Sequence, residues 1–302
     1  MTMLELKQIS LAYGDHQVLD RINLSARKGE IIGLVAPNGT GKTTLFHVMA
    51  NFLKPDAGTV IIDGKHQYKT EKDELNIHKQ LISFPEQHHL FEELSGKDHI
   101  KLYANLWKGT TKHVQKVIDD LNMNHYVRRK VSTYSMGMRQ RLCFAMLVAA
   151  DTPIMIMDEI MNGLDVENVS LLSNHLIEMK KAGKLIFIAS HLLENLDVYA
   201  DRVLYLKDGH FIHEQHLHEG AQDDYVKVSL SEKQYEELQA RFPLPEAHQF
   251  IAKHLLCIPL RGMDMKEQTN WITTILEKGY SNVSIGPLGT VDIYEKYYHE
   301  KQ

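Results

Sequence analysis

Hydrophobic residues fall into three patterns along this chain, and each predicts a different element. Leu4 to Tyr13 and Val18 to Leu24 alternate between apolar and polar side chains with Gly14-Asp15 between them, which predicts an antiparallel pair of strands. Ile31 to Val35, Leu81 to Phe84, Ile154 to Met157 and Leu185 to Ala189 are short continuous apolar runs of strand length. Helical spacing follows the first of these from Thr44, covers about 96–127, resumes at Ser135 into the apolar Leu142 to Ala150, and runs from Val166 to Lys181. Lys54 to Gly58 reads as a turn before a strand at Thr59 to Ile62. From about Tyr225 the pattern restarts as a small α+β unit. It has strands at Val226 to Leu230 and Leu255 to Ile258, a helix opened by Ser231, a helix near Asn270 to Leu276, and an aromatic-rich end at Ile293 to Tyr298. The division this predicts is 1–220 and 221–302.

Bulk properties narrow the class. A chain of 302 residues suits one large domain with an appendage, or two domains. A net charge of −5 argues against a protein held to nucleic acid by charge. The basic group Arg128, Arg129, Lys130, Arg139 and Arg141 reads as a solvated or phosphate-facing surface. With two cysteines, Cys143 and Cys257, no disulfide framework is expected. No stretch has the roughly twenty apolar residues of a membrane span, so a membrane role would pass through a partner. Among 18 histidines, His210, His213, His216 and His218 bunch together without completing a metal-ligand set.

The chemistry sits where the apolar runs end. Ile31 to Val35 breaks into Ala36-Pro37-Asn38-Gly39-Thr40-Gly41-Lys42-Thr43-Thr44. Two glycines let backbone N–H groups turn inward, Lys42 adds a cation, the Thr43 hydroxyl can ligate Mg²⁺, and the following helix points its positive end at the same anion. This is the layout of a phosphate cradle. The glycine usual at its first position is Ala36 here; if that position required a positive φ, alanine would cost roughly 1 kcal/mol. Ile154 to Met157 delivers Asp158 and Glu159, one suited to a metal shell and the other to activating a water. Ser135-Met136-Gly137 opens a buried helix, which read alone is a good N-cap and read with the cradle is a second anion-binding terminus. Leu185 to Ala189 ends at Ser190-His191, and a histidine there can reach a terminal phosphate.

The cradle, the Ser135–Gly137 helix start, Asp158-Glu159 and Ser190-His191, in that order, resemble an ABC transporter ATP-binding subunit over roughly residues 1–215. The resemblance implies an α/β fold: a P-loop NTPase core with an antiparallel β subdomain, an α-helical insertion at about 96–150, and here a small C-terminal α+β extension. It implies ATP and Mg²⁺ as ligands. Asn38, Gly39, Thr40, Gly41, Lys42, Thr43 and Thr44 would hold the nucleotide, Tyr13 would stack on its adenine, and Val18 would join that contact. Thr43, Asp158 and either Glu86 or Gln87 would meet the metal; Glu159 and His191 would be catalytic; Ser135, Met136 and Gly137 would reach the nucleotide of a partner; Asp165 would be the D-loop aspartate.

Tyr134-Ser135-Met136-Gly137-Met138 is similar to the signature of bacterial drug- and bacteriocin-type exporter ATPases. The implied protein is an ATP-hydrolysing exporter motor with a second ATP-binding subunit, identical or paralogous, and a separate polytopic membrane permease. It would sit in the cytoplasm at the inner face of the cell membrane through that permease, with no nucleic-acid partner. The rival reading is a soluble ABC-type ATPase acting on ribosomes or DNA.

Overall fold

In the computed structural model, which describes residues 2–218, 223–280 and 282–299, the alternating segments form an antiparallel pair, β1 (Thr2–Tyr13) and β2 (His16–Arg27). Leu4 and Leu6 face inward, and so do Ile9 and Leu11, which are of the opposite parity. Gln8, at φ +52°, is the bulge that resets the alternation, and the β1–β2 register shifts between Leu6 and Ile9. Gly58 lies against this bulge at φ +90°, where a Cβ would come within 2.3 Å of the Gln8 carbonyl oxygen. Only glycine fits that approach.

The chain continues through β3 (Ile31–Val35), α1 (Lys42–Met49), β4 (Ala57–Ile62), β5 (His66–Gln67), α2 (Glu71–His78) and β6 (Leu81–Ser83). After these come α3 (Gly96–Lys108), α4 (Val114–Asp120), α5 (Met136–Ala150), β7 (Ile154–Asp158), α6 (Val166–Lys181), β8 (Leu185–Ala189), α7 (Leu193–Tyr199), β9 (Arg202–Lys207) and β10 (His210–His216). One sheet has the order β2-β1-β4-β5 and the other β10-β9-β3-β8-β7-β6, in which β9 through β6 run parallel. Every residue of β3 and β8 is buried, as expected for strands covered on both faces. Leu34, Ile156, Phe187 and Leu204 share one core with the inward residues of β1 and β2.

Two expectations need adjustment, and one pair of elements was not expected. The cradle helix starts at Lys42 rather than Thr44, because Gly41 takes the N-cap at φ +103°. The predicted helical stretch at 96–127 is two helices, broken where Gly109 caps α3 in the left-handed conformation at φ +64°. The pair β5 and α2 has no counterpart in the hydrophobic pattern; α2 buries only Ile77, and its start is set by Thr70, whose hydroxyl accepts from the Asp73 amide at 3.2 Å.

The chain divides into two compact units, Met1–Gln215 and His216–Gln302. The second contains β11 (Tyr225–Ser229), α8 (Glu232–Arg241), β12 (Gln249–Ile251), β13 (Leu255–Pro259), α9 (Met265–Glu277), β14 (Ser284–Gly286) and α10 (Thr290–Tyr298). Its antiparallel sheet, β12-β13-β11-β14, buries Val226, Val228, Leu256 and Ile258 with Leu238 and Ile275 from the helices. Tyr235 stacks on Phe250 with ring centroids 4.1 Å apart. Capping boxes start α8 at Ser231 and α9 at Asp264, so the helix boundaries here are locally encoded.

Burial pushes the Cys143 and Cys257 thiols up to about 12. Both should therefore stay unlabelled by a thiol-exchange reagent at pH 8 in the folded protein and react fully in denaturant. Mass spectrometry of the labelled chain checks this; rapid labelling of either residue in the native state would contradict the packing described.

Candidate functional site

Because β3, β7 and β8 are neighbours in one parallel ladder, their C-terminal ends open on the same edge of the sheet, the usual place for a ligand in such a fold. The loop leaving β3 reaches α1 through Gly39 at φ +77° and Gly41 at φ +103°. A Cβ on Gly41 would come within 2.8 Å of Val18 Cγ1, so β2 packs directly against the loop. Ala36 is buried and has no positive φ, so alanine is accommodated there without strain. Its carbonyl oxygen accepts from Lys42 Nζ at 2.7 Å, and that of Pro37 accepts from the same ammonium at 3.0 Å. Burial lowers the Lys42 pKa, and the nearby Asp158 and Glu159 carboxylates oppose that shift.

Side chains of Thr70, Ser95, Ser135 and Asp165 cap α2, α3, α5 and α6, whereas α1, like α4 and α7, has no capping side chain; it starts on Gly41 with no acidic residue in its first turn. An uncapped start beside a lysine suits a phosphate. Thr43 Oγ1 donates to Asp158 Oδ2 at 2.7 Å, bringing a hydroxyl and a carboxylate together, which is the hard oxygen chemistry that Mg²⁺ takes. Burial raises the Asp158 pKa; the Thr43 hydrogen bond works against it.

Glu159 follows at φ +55°, and its amide donates to the Ala189 carbonyl at 2.9 Å. Its two carboxylate oxygens have separate partners. Oε1 lies 2.7 Å from His191 Nε2, and Oε2 accepts from Asn162 Nδ2 at 2.6 Å. Thr43, Asp158, Glu159 and Asn162 line a cleft of about 540 Å³ together with Glu86, Gln87, Gln140 and His47. Within it Gln87 turns inward to hydrogen-bond Gln140, whereas Glu86 turns to His88, 3.1 Å away.

The family model for ABC transporters matches residues 19–162. An uncharacterized ABC transporter ATP-binding protein of Bacillus subtilis, YhcH, is 32% identical over 218 residues, covering 72% of this chain and 70% of that protein. The chain belongs to the ATP-binding proteins of ABC transporters. The bacitracin transport ATP-binding protein BcrA of Enterococcus faecalis is also 32% identical, over 222 residues, 72% of this chain and 70% of its own length. The solved structure of an ATP-binding subunit of an ABC transporter superposes with a TM-score of 0.66 at 21% identity, covering 90% of this chain and 99% of that one, which establishes the shared fold.

In this ABC ATP-binding protein Thr43, Asp158 and Glu159 line one cleft, and Ser135, Gly137 and Asp165 line another. Ser135 caps α5 by accepting from the Met138 amide at 3.3 Å, and with Gly137, Gly163 and Asp165 it lines a hollow of about 320 Å³ that contains no cradle residue. Asp165 caps α6 by accepting from the Asn168 amide at 2.9 Å. Tyr13 ends β1 and is 54% exposed. Asn38, Gly39 and Thr43 are exposed, and Thr40 and Thr44 half-buried. Met136 is exposed at the start of α5.

Of the basic residues noted in the sequence, Arg139 pairs with Glu92 at 2.6 Å and Lys130 with Glu93 at 2.6 Å, whereas Arg129 and Arg141 donate to the main-chain carbonyls of His125 and Leu121. In β10, His210 and His216 are on its exposed face and His213 on the other, so strand alternation separates that histidine group. Sequence reasoning passed over Gln140 and Asn162. Asn162 reads as part of an Asn-Gly turn, and Gln140 as one polar residue in an apolar helix; nothing local marks either as facing Glu159.

The raised Asp158 pKa has a consequence for stability. A carboxyl whose pKa is higher in the folded state contributes its stability below the unfolded value near 3.9, and that contribution is lost as pH rises through the folded value. Asp158→Asn should therefore melt higher than wild type at pH 7 without nucleotide, with the gap closing as pH falls towards 4. Thermal melts at the two pH values check it.

Proposed function

We propose that this protein is the ATP-hydrolysing motor subunit of an ABC exporter, dimerising on ATP and driving transport through a separate membrane subunit. The observation that carries this reading is the Glu159 carboxylate, held between His191 and Asn162 and facing the same cleft as the Thr43–Asp158 pair. A carboxylate fixed at both oxygens is oriented to accept a proton from a water, a role typically worth about 10²–10⁴-fold in rate. His191 positions it. The uncapped start of α1 and Lys42 bind the phosphates, and leaving the two backbone carbonyls lets Lys42 exchange neutral acceptors for charged ones. Thr43 and Asp158 hold Mg²⁺, which when bound supplies positive charge against the phosphate oxygens.

The separation of the Ser135 hollow from the cradle supports a paired arrangement, in which Ser135 and Gly137 of each subunit face the nucleotide of the other. The second copy can be identical or paralogous. No helix among the described residues is long and apolar enough to cross a membrane, so this reading needs a permease chain and places the protein at the inner face of the membrane through it. A relative named for peptide export, the SkfA peptide export ATP-binding protein SkfE of Bacillus subtilis, supports the choice of export.

Glu159→Gln should lower ATP turnover by about 10²–10⁴-fold while leaving nucleotide affinity intact. With saturating ATP it should elute as a dimer, alone or with a paralogous subunit. Turnover at the wild-type rate would remove Glu159 from this role. Lys42→Ala should instead weaken nucleotide binding itself, by roughly tenfold or more for a lost charge-assisted contact, as read by calorimetry.

A further inference from the structure

Gln140 is 4% exposed, so both ends of its amide need partners within the protein. Each end has one. Its Oε1 accepts from Gln87 Nε2, and its Nε2 donates to the Glu159 carbonyl oxygen at 3.1 Å. That carbonyl also accepts from the Asn162 amide at 3.2 Å. One side chain on α5 therefore joins three segments: the loop after β6, the helix opened by Ser135, and the backbone that carries Glu159.

Glu159 needs such support. Its φ of +55° is a conformation that a residue with a Cβ avoids, and it persists only where the surroundings hold it. The preceding residue on α5, Arg139, grips the same loop further along through a fork to Glu92, at 2.6 and 2.8 Å. Arg139 and Gln140 are adjacent in sequence and hold the loop at two points, and of the two Gln140 extends the connection to the main chain of Glu159.

We infer that Gln140 is a positioning residue, which clamps the main chain of Glu159 and passes displacement of Gln87 on to it. If Gln87 withdraws, Gln140 Oε1 is left buried without its donor, a costly state that the amide relieves by turning away from the Glu159 carbonyl. The link thus runs from the loop at the mouth of the cleft to the main chain that carries Glu159, through the Gln140 amide and no charged group. The catalytic part of this inference rests on the role proposed for Glu159. The clamp itself does not.

The test uses Gln140→Leu, which keeps the volume and removes both hydrogen bonds, together with Gln87→Leu and the double variant. Without nucleotide, amide hydrogen exchange should accelerate within Asp158–Gly163 in all three proteins and stay at the wild-type rate in β1. With ATP, Gln140→Leu should lower kcat roughly ten- to a hundredfold, the scale of a displaced catalytic group, with KM changed by less than about twofold. The double variant should be no slower than Gln140→Leu, because both residues act through one connection.

Wild-type exchange in Asp158–Gly163 for Gln140→Leu overturns the clamp. So does a double variant whose losses simply multiply. If Gln140→Leu does not fold, Gln87→Leu carries the decision, since it sits at a half-buried position outside α5, and unchanged exchange there overturns the proposal. Full turnover in Glu159→Gln would reject the catalytic role of Glu159 and with it the kcat prediction, while exchange still decides the clamp.

Discussion

The register between β7 and β8 governs the site. Ile154 lies opposite Leu185 and Asp158 opposite Ala189, and the ladder closes with the Glu159 amide donating to the Ala189 carbonyl. That alignment brings the carboxylate pair and His191 to adjacent strand ends, within reach of a hydrogen bond. A slip of one residue would send every side chain of β7 to the opposite face, exchanging the buried Ile154 and Ile156 with Met155 and Met157. The apolar core that fixes these strands is therefore also what sets the distance between Glu159 and His191.

Two opposed costs of burial meet at Lys42 and Asp158. Desolvation disfavours the charged ammonium of Lys42 and the charged carboxyl of Asp158, and each is partly relieved by the other and by local hydrogen bonds. Lys42 is bonded to two main-chain carbonyls and Asp158 to the Thr43 hydroxyl, so both groups have neutral partners that a charged ligand can outcompete. Holding ionisable groups in this state costs stability, as functional sites commonly do.

Much of the remaining structure follows from locally encoded boundaries. Ser95, Ser135, Asp165, Ser231 and Asp264 each start a helix by accepting from an amide three residues on. At Ser135 and Asp165 the same residues also line the second hollow, so a structural cap and a cavity-lining position coincide. Such coincidence is economical for a short loop. It also explains why a cap residue read alone carries so little functional information.

What the sequence determined by itself is the set of elements whose cause is local. Period-two alternation marked β1 and β2, continuous apolar runs marked β3, β7 and β8, and the helix predicted over Val166 to Lys181 has those limits as α6. The order of the motifs was enough to identify the family, because glycines, a lysine and paired carboxylates at strand ends have a chemistry that does not depend on distant residues. Only the tertiary structure shows Gln87 half-buried against Gln140 and Glu86 exposed beside it, since that contact depends on Gln140, 53 residues further on, being buried opposite. The same holds for Ala36, whose tolerance rests on a backbone angle, and for Asn162 and Gln140, whose roles exist only once β7, α5 and the loop after β6 pack together. Local patterns record what each segment does with its own backbone. Which side chains meet across segments is decided by packing, and no periodicity in the chain encodes it.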